Sequence, residues 1–418
     1  GLHATVWWVH TGLVFFWIAM LPYSKFFHLL GLPANAFLAK RKPAGELERT
    51  DLDALIESEE FDEDAFTIGI DTPDDLTWKQ RLDLDACVSC GRCDEACPAL
   101  AAGRPLSPRG FIAGRKELVR EPDPTDNAPD PGPGGREIVG NAFDTEFIWR
   151  CLTCMACVRR CPAFIPHVDT LIDVRRNEIG MKGRADKDVS RMVRSLEVQG
   201  NPFGSQIKRV EWIRSLGVPV VEAGKEVEVL YWIGCLTTFD EEKQKIAVDL
   251  MQVLQQCGAD FGVLGKAEAC CGDPARVCGA EHLFQTVAKQ QVEELNRRSF
   301  RTLLVSCPHC LNALKNEYPQ FGGRYRVVHH SEYLQELIRT GRLKPSDRGP
   351  GAAAYHDPCY LGRYQGIFDP PRQLIQAACG EPPREMDKCR ETSFCCGGGG
   401  GHLWMDSGEG ERVDVMRI

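Results

Sequence analysis

The chain has 418 residues, enough for two or three domains of about 100–200 residues each. Hydrophobic residues make up 43% of it and charged residues 26%, which excludes a chain that is disordered throughout. The formal net charge of −9 argues against a nucleic-acid-binding protein, which needs a basic face to neutralise phosphates, so no nucleic-acid partner is expected.

The first apolar stretch covers residues 4–22 and is interrupted only by His10 and Thr11. Its length is about the ~20 residues that a helix needs to cross a bilayer. A signal peptide would need a basic segment before it and a small-residue cleavage site after it, and a buried helix of a soluble protein is the other alternative. Basic residues at 25 and 40–42 follow, so the positive-inside bias places everything downstream in the cytoplasm. We expect residues 1–42 to be a transmembrane helix of the inner (cytoplasmic) membrane and its cytoplasmic exit segment.

Two histidines of this region, His10 and His28, lie eighteen residues apart. In one continuous helix this spacing is five whole turns, so both imidazoles would share a face at a separation of about 27 Å, close to the ~30 Å hydrocarbon thickness. Two imidazoles in these positions could each bind a haem. If they bind none, His10 would face a polar bundle interior and His28 would lie at the membrane interface. The run from Pro22 to His28 resembles the last haem-binding helix of respiratory nitrate reductase gamma subunits. That resemblance implies that His10 and His28 each bind one of two b haems, whose opposing ligands lie on transmembrane helices outside this chain.

An acidic run follows the membrane segment. Residues 46–75 carry thirteen acidic residues and one basic residue, Arg49. Such a run is typical of a solvated segment. We therefore expect residues 43–80 to be an acidic linker or a short surface helix, with a docking site for a basic partner as the alternative.

Cysteine is the most informative residue type in the chain. Sixteen of the 20 cysteines belong to clustered motifs. At about 5% of the residues they are too few for a disulfide-stapled scaffold, which has ~8–10%. Clustering of this kind indicates metal ligation in a reducing compartment.

Two cysteine runs of identical spacing, Cys-x2-Cys-x2-Cys-x3-Cys-Pro, lie within residues 81–200. The x2 spacing lets three thiolates reach three irons of a cubane, while the fourth cysteine, followed by proline, opens a helix that carries it to the other cluster. Zinc leaves that fourth cysteine unexplained. The module resembles a bacterial two-cluster ferredoxin with an enlarged insert at 121–135, whose five Pro and three Gly exclude a regular element. The expected [4Fe–4S] ligands are Cys87, Cys90, Cys93 and Cys161 for cluster 1, and Cys151, Cys154, Cys157 and Cys97 for cluster 2.

From about residue 226 short apolar runs alternate with helical stretches, which predicts an α/β domain with a largely parallel sheet over 226–345. The expected strands are 226–233, 301–306 and 324–329, and the expected helices include 240–257 and 281–298. Five further cysteines are expected at the carboxyl edge of this sheet, where ligands collect. They are Cys235, Cys270, Cys271, Cys307 and Cys310.

Adjacent cysteine side chains diverge, so Cys270 and Cys271 would hold different irons of an open cluster. A vicinal disulfide beside a separate Cys-x2-Cys, or a zinc site, are the alternatives. The five-cysteine pattern resembles the CCG domain of heterodisulfide reductase catalytic subunits. The resemblance implies a non-cubane [4Fe–4S] cluster that can act at disulfides, and two cubane clusters just ahead of tandem CCG domains.

Residues 350–418 repeat part of this pattern, with a cysteine after an apolar run and then Cys-Cys-Gly. The first copy's spacing would place the closing Cys-x2-Cys beyond Ile418, so the remaining ligands either lie on residues outside this sequence or the second site holds no complete cluster. We therefore expect the second CCG domain to be truncated. Because the sequence also begins, at Gly1, within an apolar stretch, we expect it to be a piece of a longer protein. The second set is Cys359, Cys395 and Cys396. The remaining cysteines are expected to be structural: Cys257, Cys278, Cys379 and Cys389.

The resulting fold class is multidomain: a transmembrane α-helix, a two-[4Fe–4S] ferredoxin-like α-helical module and α/β tandem CCG domains. Direct fusion of these parts resembles the membrane iron–sulfur oxidoreductases that pass electrons from electron-transfer flavoprotein to menaquinone. The alternatives are a quinone-coupled thiol/disulfide reductase and a relay component of a larger respiratory complex.

The chain has no GxGxxG motif after a strand, so no bound dinucleotide is expected. The glycines at 397–401 are instead expected to let the backbone approach a cluster. Three histidines near cysteines or strands are expected to be structural: His309, His329 and His330. His356, beside Asp357, is a candidate proton donor.

Overall fold

The structure is a computed structural model that describes residues 1–53, 66–120, 136–205, 211–345, 349, 351–405 and 412–417. The first helix, α1, is Leu2–Met20. It contains no Asp, Glu, Lys or Arg, and its titratable residues are His3 and His10. Among the described residues, Leu2–Tyr23 is the one segment long and apolar enough to cross a membrane. No residue of α1 is buried against the rest of the chain, so its apolar side chains face outward.

The helix does not continue from His10 to His28, so the prediction that both histidines share one helical face is wrong. α1 ends before Pro22, which has no backbone N–H to continue the helix. Ser24 is extended, with φ −120° and ψ 172°, and separates two short 3₁₀ turns. His28 is the first residue of a separate helix, α2, His28–Phe37.

Helix α2 packs against the helical module that follows. The buried Asn35 of α2 donates from Nδ2 to Asp83 Oδ1 and to the Ala163 carbonyl, both at 2.8 Å. Asp83 lies on helix α3, Trp78–Ala86, and Ala163 follows the second cysteine run. This buried amide therefore connects the end of the apolar N-terminal region to both halves of the module.

The expectation of a solvated linker at 43–80 does not hold for the described ends of this segment. Leu47 is buried, and its backbone N–H donates to Glu317 Oε1 at 3.1 Å. At the other end Ile70 and Leu76 are buried in the core of the helical module. Apolar residues interspersed in the acidic run supply this buried surface. Residues 54–65 lie outside the described residues.

The ferredoxin-like module is helical, as predicted. Helix α6, Pro108–Arg120, buries one face, since its buried positions Phe111, Arg115 and Leu118 recur at helical spacing. Helix α9, His167–Gly180, is instead buried around most of its circumference. The Pro/Gly-rich insert at 121–135 lies outside the described residues. Besides α3, the helices are Arg92–Glu95 (α4), Pro98–Ala101 (α5), Pro108–Arg120 (α6), Thr145–Trp149 (α7), Ala156–Arg160 (α8), His167–Gly180 (α9) and Lys187–Gln199 (α10).

The first CCG region forms a four-stranded parallel sheet in the order β2-β1-β3-β4. The three predicted strands and two predicted helices are present, with bounds shifted by a few residues. Leu230 of β1 pairs with Gly262 of β2 on one side and Leu303 of β3 on the other. The strands are Glu226–Trp232 (β1), Phe261–Val263 (β2), Ser299–Val305 (β3) and Val327–His329 (β4). The helices are Glu211–Arg214 (α11), Cys235–Phe239 (α12), Glu241–Gln256 (α13), Asp273–Cys278 (α14), Glu281–Asn296 (α15), Pro308–Asn312 (α16) and His330–Arg339 (α17).

The second CCG region differs from the expected α/β domain. Its described residues contain the helices Asp369–Cys379 (α18) and Val413–Met416 (α19) and one isolated parallel bridge between Ala354 and Arg384. Within these described residues the bridge does not extend into a sheet. The segment that corresponds to β1 contains three alanines at 352–354, which offer little apolar surface for a strand buried on both faces.

Candidate iron–sulfur sites

Two cavities of the helical module are each lined by four cysteines. The first cysteine cavity is lined by Cys87, Cys90, Cys93 and Cys161. The second cysteine cavity is lined by Cys97, Cys151, Cys154 and Cys157. Each cavity thus takes three cysteines from one run and the fourth from the other, which is the crosswise grouping expected from the sequence. Four thiols around an otherwise largely apolar space fit a cubane cluster, and the ligation itself stays a prediction.

The two cysteine runs have the same backbone conformation. Left-handed φ angles occur at Ser89 (53°) and Gly91 (80°) in the first run, and at Thr153 (47°) and Met155 (62°) in the second. Such angles at non-glycine residues cost about 1–3 kcal/mol and are retained where the surroundings impose them. The bends fold each loop around its cavity, so that its three cysteines line the same space.

The last cysteines of the two runs also match each other. Cys97 and Cys161 have φ −77° with ψ 114° and 115°. Helix α5 begins directly after Cys97, as expected, whereas Cys161 is followed by a turn and the next helix, α9, begins only at His167. The sequence-based expectation that both Cys-Pro pairs open a helix therefore holds for the first run only.

Burial changes the acidity of these thiols. It raises the pKa of Cys93 and that of Cys97 to about 12, and it raises the pKa of Cys157 well above its ordinary value. Negative charge on neighbouring cysteines acts in the same direction. These thiols are therefore neutral near pH 7 without a cluster, and loading the cavities must release protons.

The third candidate site, the CCG cavity, has a volume of about 300 Å³. It lies at the carboxyl edge of the parallel sheet, because Cys235 follows β1 and Cys307 follows β3. All five cysteines of the first CCG region line it: Cys235, Cys270, Cys271, Cys307 and Cys310. Among the described residues, no three His, Cys, Asp or Glu side chains form a group that could hold a single metal ion.

The backbone around the CCG cavity is held by buried polar groups. The Glu268 carboxylate accepts hydrogen bonds from the backbone N–H groups of Ile233 (3.0 Å) and Gly234 (2.8 Å), just before Cys235. The Tyr318 hydroxyl donates to the Cys271 carbonyl at 3.2 Å. These contacts orient the strand end and the Cys-Cys-Gly turn toward the same space.

A histidine that the sequence pattern had marked as structural lines the CCG cavity. His309 Nδ1 lies 2.7 Å from Asp273 Oδ2, and its ring stacks on Tyr360 with centroids 3.7 Å apart. Tyr360 in turn stacks on Tyr364 at 4.0 Å. Burial lowers the pKa of His309, but the Asp273 carboxylate outweighs it and raises the pKa to about 10. Asp273 and His309 lie within the cysteine motifs, in Cys-Cys-Gly-Asp and Cys-Pro-His-Cys. This position in the motifs is the signal that could have identified them.

The other histidines divide between structural and site positions. His329 is buried, with its ring nitrogens 2.8 Å from Ser331 Oγ and 3.1 Å from the Ser306 carbonyl, as expected of a structural residue. His356, the candidate proton donor, forms a hydrogen bond with Cys396. It therefore lies beside the second cysteine set, and its proposed role as an acid stays a prediction.

The second CCG set lies between the second cysteine cavity and the CCG cavity. Cys395 is hydrogen-bonded to Cys154 of the second run as well as to Cys359 and Cys396. Cys359 and Cys396 line the CCG cavity. The glycine run brings the two backbones together, since a Cβ on Gly399 would lie 2.3 Å from the Leu152 carbonyl oxygen.

Family models match both cysteine-rich parts of the chain. A cysteine-rich (CCG) domain model matches residues 229–315 and 353–418, and a 4Fe-4S dicluster domain model matches residues 86–165. These matches support the presence of [4Fe–4S] domains and both CCG regions. No solved structure matches the chain.

Three relatives illustrate the range of similar proteins. An EtfAB:quinone oxidoreductase of Syntrophomonas wolfei is 34% identical over 97% of the chain and 59% of its own length. A probable membrane-anchored ferredoxin of Chromohalobacter salexigens is 37% identical over 90% of the chain and 58% of its length. One subunit of the dihydromethanophenazine:CoB–CoM heterodisulfide reductase of Methanosarcina barkeri is 31% identical over 80% of the chain and 82% of its length. The chain thus spans less than two thirds of the first two relatives.

Proposed function

Because the chain belongs to the CCG-domain iron–sulfur oxidoreductase family that includes the heterodisulfide reductase relative, we propose that it links a soluble electron carrier to the membrane quinone pool. The donor in this proposal is an electron-transfer flavoprotein and the acceptor is menaquinone. The similarity to a protein named EtfAB:quinone oxidoreductase supports the pairing of flavoprotein and quinone. The outward-facing apolar helix α1 and the membrane-anchored relative support attachment to a membrane.

The proposed cluster ligands are the cysteine sets described above. The first cysteine cavity would hold one cubane, the second cysteine cavity another, and the five cysteines of the CCG cavity a non-cubane [4Fe–4S] cluster. Bound clusters of this kind supply one-electron transfer. The chain's own contribution is to fix the thiols with bent loops and to surround them with apolar side chains such as Phe111 and Leu171, which exclude water.

The observation that carries the proposal is the order of the sites. Asn35 of α2 bonds to the carbonyl of Ala163, which lines the first cysteine cavity. The Cys154 side chain of the second cysteine cavity is hydrogen-bonded to the Cys395 side chain. The other two partners of Cys395, Cys359 and Cys396, line the CCG cavity. The sites thus form one series from the apolar N-terminal region to the α/β domain, which suits a carrier between a membrane and a soluble protein.

The haem proposal concerns the N-terminal region. His10 is exposed on α1 and would meet a haem only together with further transmembrane helices, which would supply the opposing ligand. His28 would serve a second haem from the start of α2. In this arrangement α1 spans the inner membrane and the iron–sulfur domains face the cytoplasm, the side given by the basic residues at 40–42. In this proposal the turn between α1 and α2, and not one straight helix, sets the separation of the two imidazole rings.

A second candidate function is a quinone-coupled thiol/disulfide reductase. It is favoured by the CCG cavity itself, whose space of about 300 Å³ is lined by five cysteines. The similarity to the heterodisulfide reductase relative over 82% of that protein points the same way. The two functions differ in the soluble reactant that meets the CCG cavity.

The deciding experiment uses the full-length protein in vesicles that contain menaquinone. Reduced electron-transfer flavoprotein should reduce the b haems and form menaquinol, and small disulfides should not reoxidise the haems. Cys271→Ala should abolish this reduction, whereas Cys379→Ala, a cysteine outside the motifs, should not change it. Rapid reoxidation by a disulfide, with no response to the flavoprotein, would replace the proposal with the disulfide reductase. His10→Ala should remove one of two haems; an unchanged haem content would exclude His10 as a ligand.

A further inference from the structure

His167, the first residue of α9, lies between the two cysteine cavities of the helical module. It lines the first cysteine cavity and also the second, and it is the one described residue that the two linings share. Its side chain is buried, with 4% of the residue exposed. The imidazole therefore stands between the two cysteine sets, although it belongs to neither run.

Neither ring nitrogen of His167 has a hydrogen-bond partner among the residues that the structure describes. The cavity walls around it are mainly apolar and include Ile165 and Leu171. A buried N–H without an acceptor destabilises a fold, so buried polar groups are nearly always paired. An acceptor for His167 must therefore come from whatever fills the cysteine cavities.

We propose that His167 donates an imidazole N–H hydrogen bond to a sulfur atom of the cubane in one or both cysteine cavities, and thereby raises its reduction potential. The inference rests on the proposed cysteine ligation. Thiolate and sulfide sulfurs accept hydrogen bonds, and they gain negative charge when the cluster is reduced. A fixed donor therefore stabilises the reduced form more than the oxidised form. Each cavity already has four cysteines, so His167 acts as a hydrogen-bond donor that raises the reduction potential of the cubane and not as an iron ligand.

Two variants of the full-length holoprotein separate the hydrogen bond from the packing. His167→Phe keeps an aromatic ring but removes both nitrogens, and His167→Gln keeps a donor amide. In EPR-monitored redox titrations, His167→Phe should make reduction of at least one cubane about tenfold less favourable, which is about 59 mV for a one-electron couple. His167→Gln should recover part of that shift. A shift in one cubane indicates a neutral ring with one N–H, and a shift in both indicates a protonated ring; each supports the proposal. Unchanged potentials of both cubanes in His167→Phe would overturn it.

A measurement on the unmutated protein covers the case in which His167→Phe does not fold. Protein labelled with nitrogen-15 histidine should show a histidine nitrogen coupling, and an exchangeable deuteron in D₂O, in pulsed EPR spectra of the reduced cubanes. Two cubanes without these couplings would overturn the role of His167 alone. A protein without two cubanes would overturn the proposed cysteine ligation together with it.

Discussion

Replacing Gly400 with alanine should force the second CCG region away from the second cysteine run. Gly400 has a left-handed φ of +63°, and an added Cβ would lie 2.1 Å from the Cys151 carbonyl oxygen. Because Cβ contacts under 3.0 Å essentially never occur, one of the two backbone segments must move. A left-handed alanine costs about 1–2 kcal/mol, and overpacking adds about 1–3 kcal/mol. We therefore expect Gly400→Ala to lower the free energy of unfolding by about 2–5 kcal/mol.

Gly380 provides the matched control in the same region. Its φ is +79°, and an added Cβ would meet no atom within 4 Å, so Gly380→Ala carries only the backbone cost of about 1–2 kcal/mol. The assay is the thermal midpoint of the full-length holoprotein at one fixed scan rate, where 1 kcal/mol corresponds to roughly 2–4 °C. Gly400→Ala should lower the midpoint about two to three times as far as Gly380→Ala. Equal losses would refute the close packing of Gly400 on the Cys151 carbonyl.

Cys97→Ser should change the same cubane EPR signal as Cys157→Ser, and a different signal from Cys93→Ser; grouping Cys97 with Cys93 would contradict the crosswise assignment. Arg276→Met should lower the free energy of unfolding by about 3–5 kcal/mol, because it removes the ion-pair partner of the buried Glu317 carboxylate and leaves the buried Glu281 carboxylate with Arg176 alone. Chemical denaturation tests this against Arg297→Met, whose exposed ion pairs are worth only about 0.3–0.5 kcal/mol each; similar losses in both variants would argue against it. Reconstitution of the apoprotein with iron and sulfide should proceed further at about pH 9 than at about pH 7, because the thiol pKa values raised by burial leave fewer thiolates at the lower pH. A yield independent of pH would contradict this reasoning.

Local patterns accounted for most of what the sequence could predict. Cysteines with only two residues between them must share a short loop, so the spacing of the runs indicated which thiols meet. The parallel sheet followed from apolar runs such as β1, whose last four residues are buried. β2 escaped prediction because it has only three residues, with Gly262 at its centre, which is too short for a periodicity.

Contacts between distant segments could not be predicted in this way. Leu47 docks on Glu317 because of how the domains pack, and no local pattern indicates this contact. The cysteine motifs mark His309 and Asp273 as site residues, but only the fold of the first CCG region shows that the two side chains meet. The end of α1 is a different case. Pro22 is a visible helix breaker, but the even spacing of the two flanking histidines had favoured a continuous helix. The helix ends before Pro22, so His10 and His28 do not lie on one face of a single helix.

The contact between Leu47 and Glu317 has a consequence for how the protein is made. The two residues are 270 positions apart, and translation proceeds at about 5–20 residues per second. The N-terminal partner therefore leaves the ribosome roughly 15–50 seconds before its acceptor exists. During that interval the segment around Leu47 cannot make this contact, and the repulsion among its acidic neighbours helps to keep it hydrated. Leu47 therefore reaches its native contact only after a further 270 residues have been synthesised.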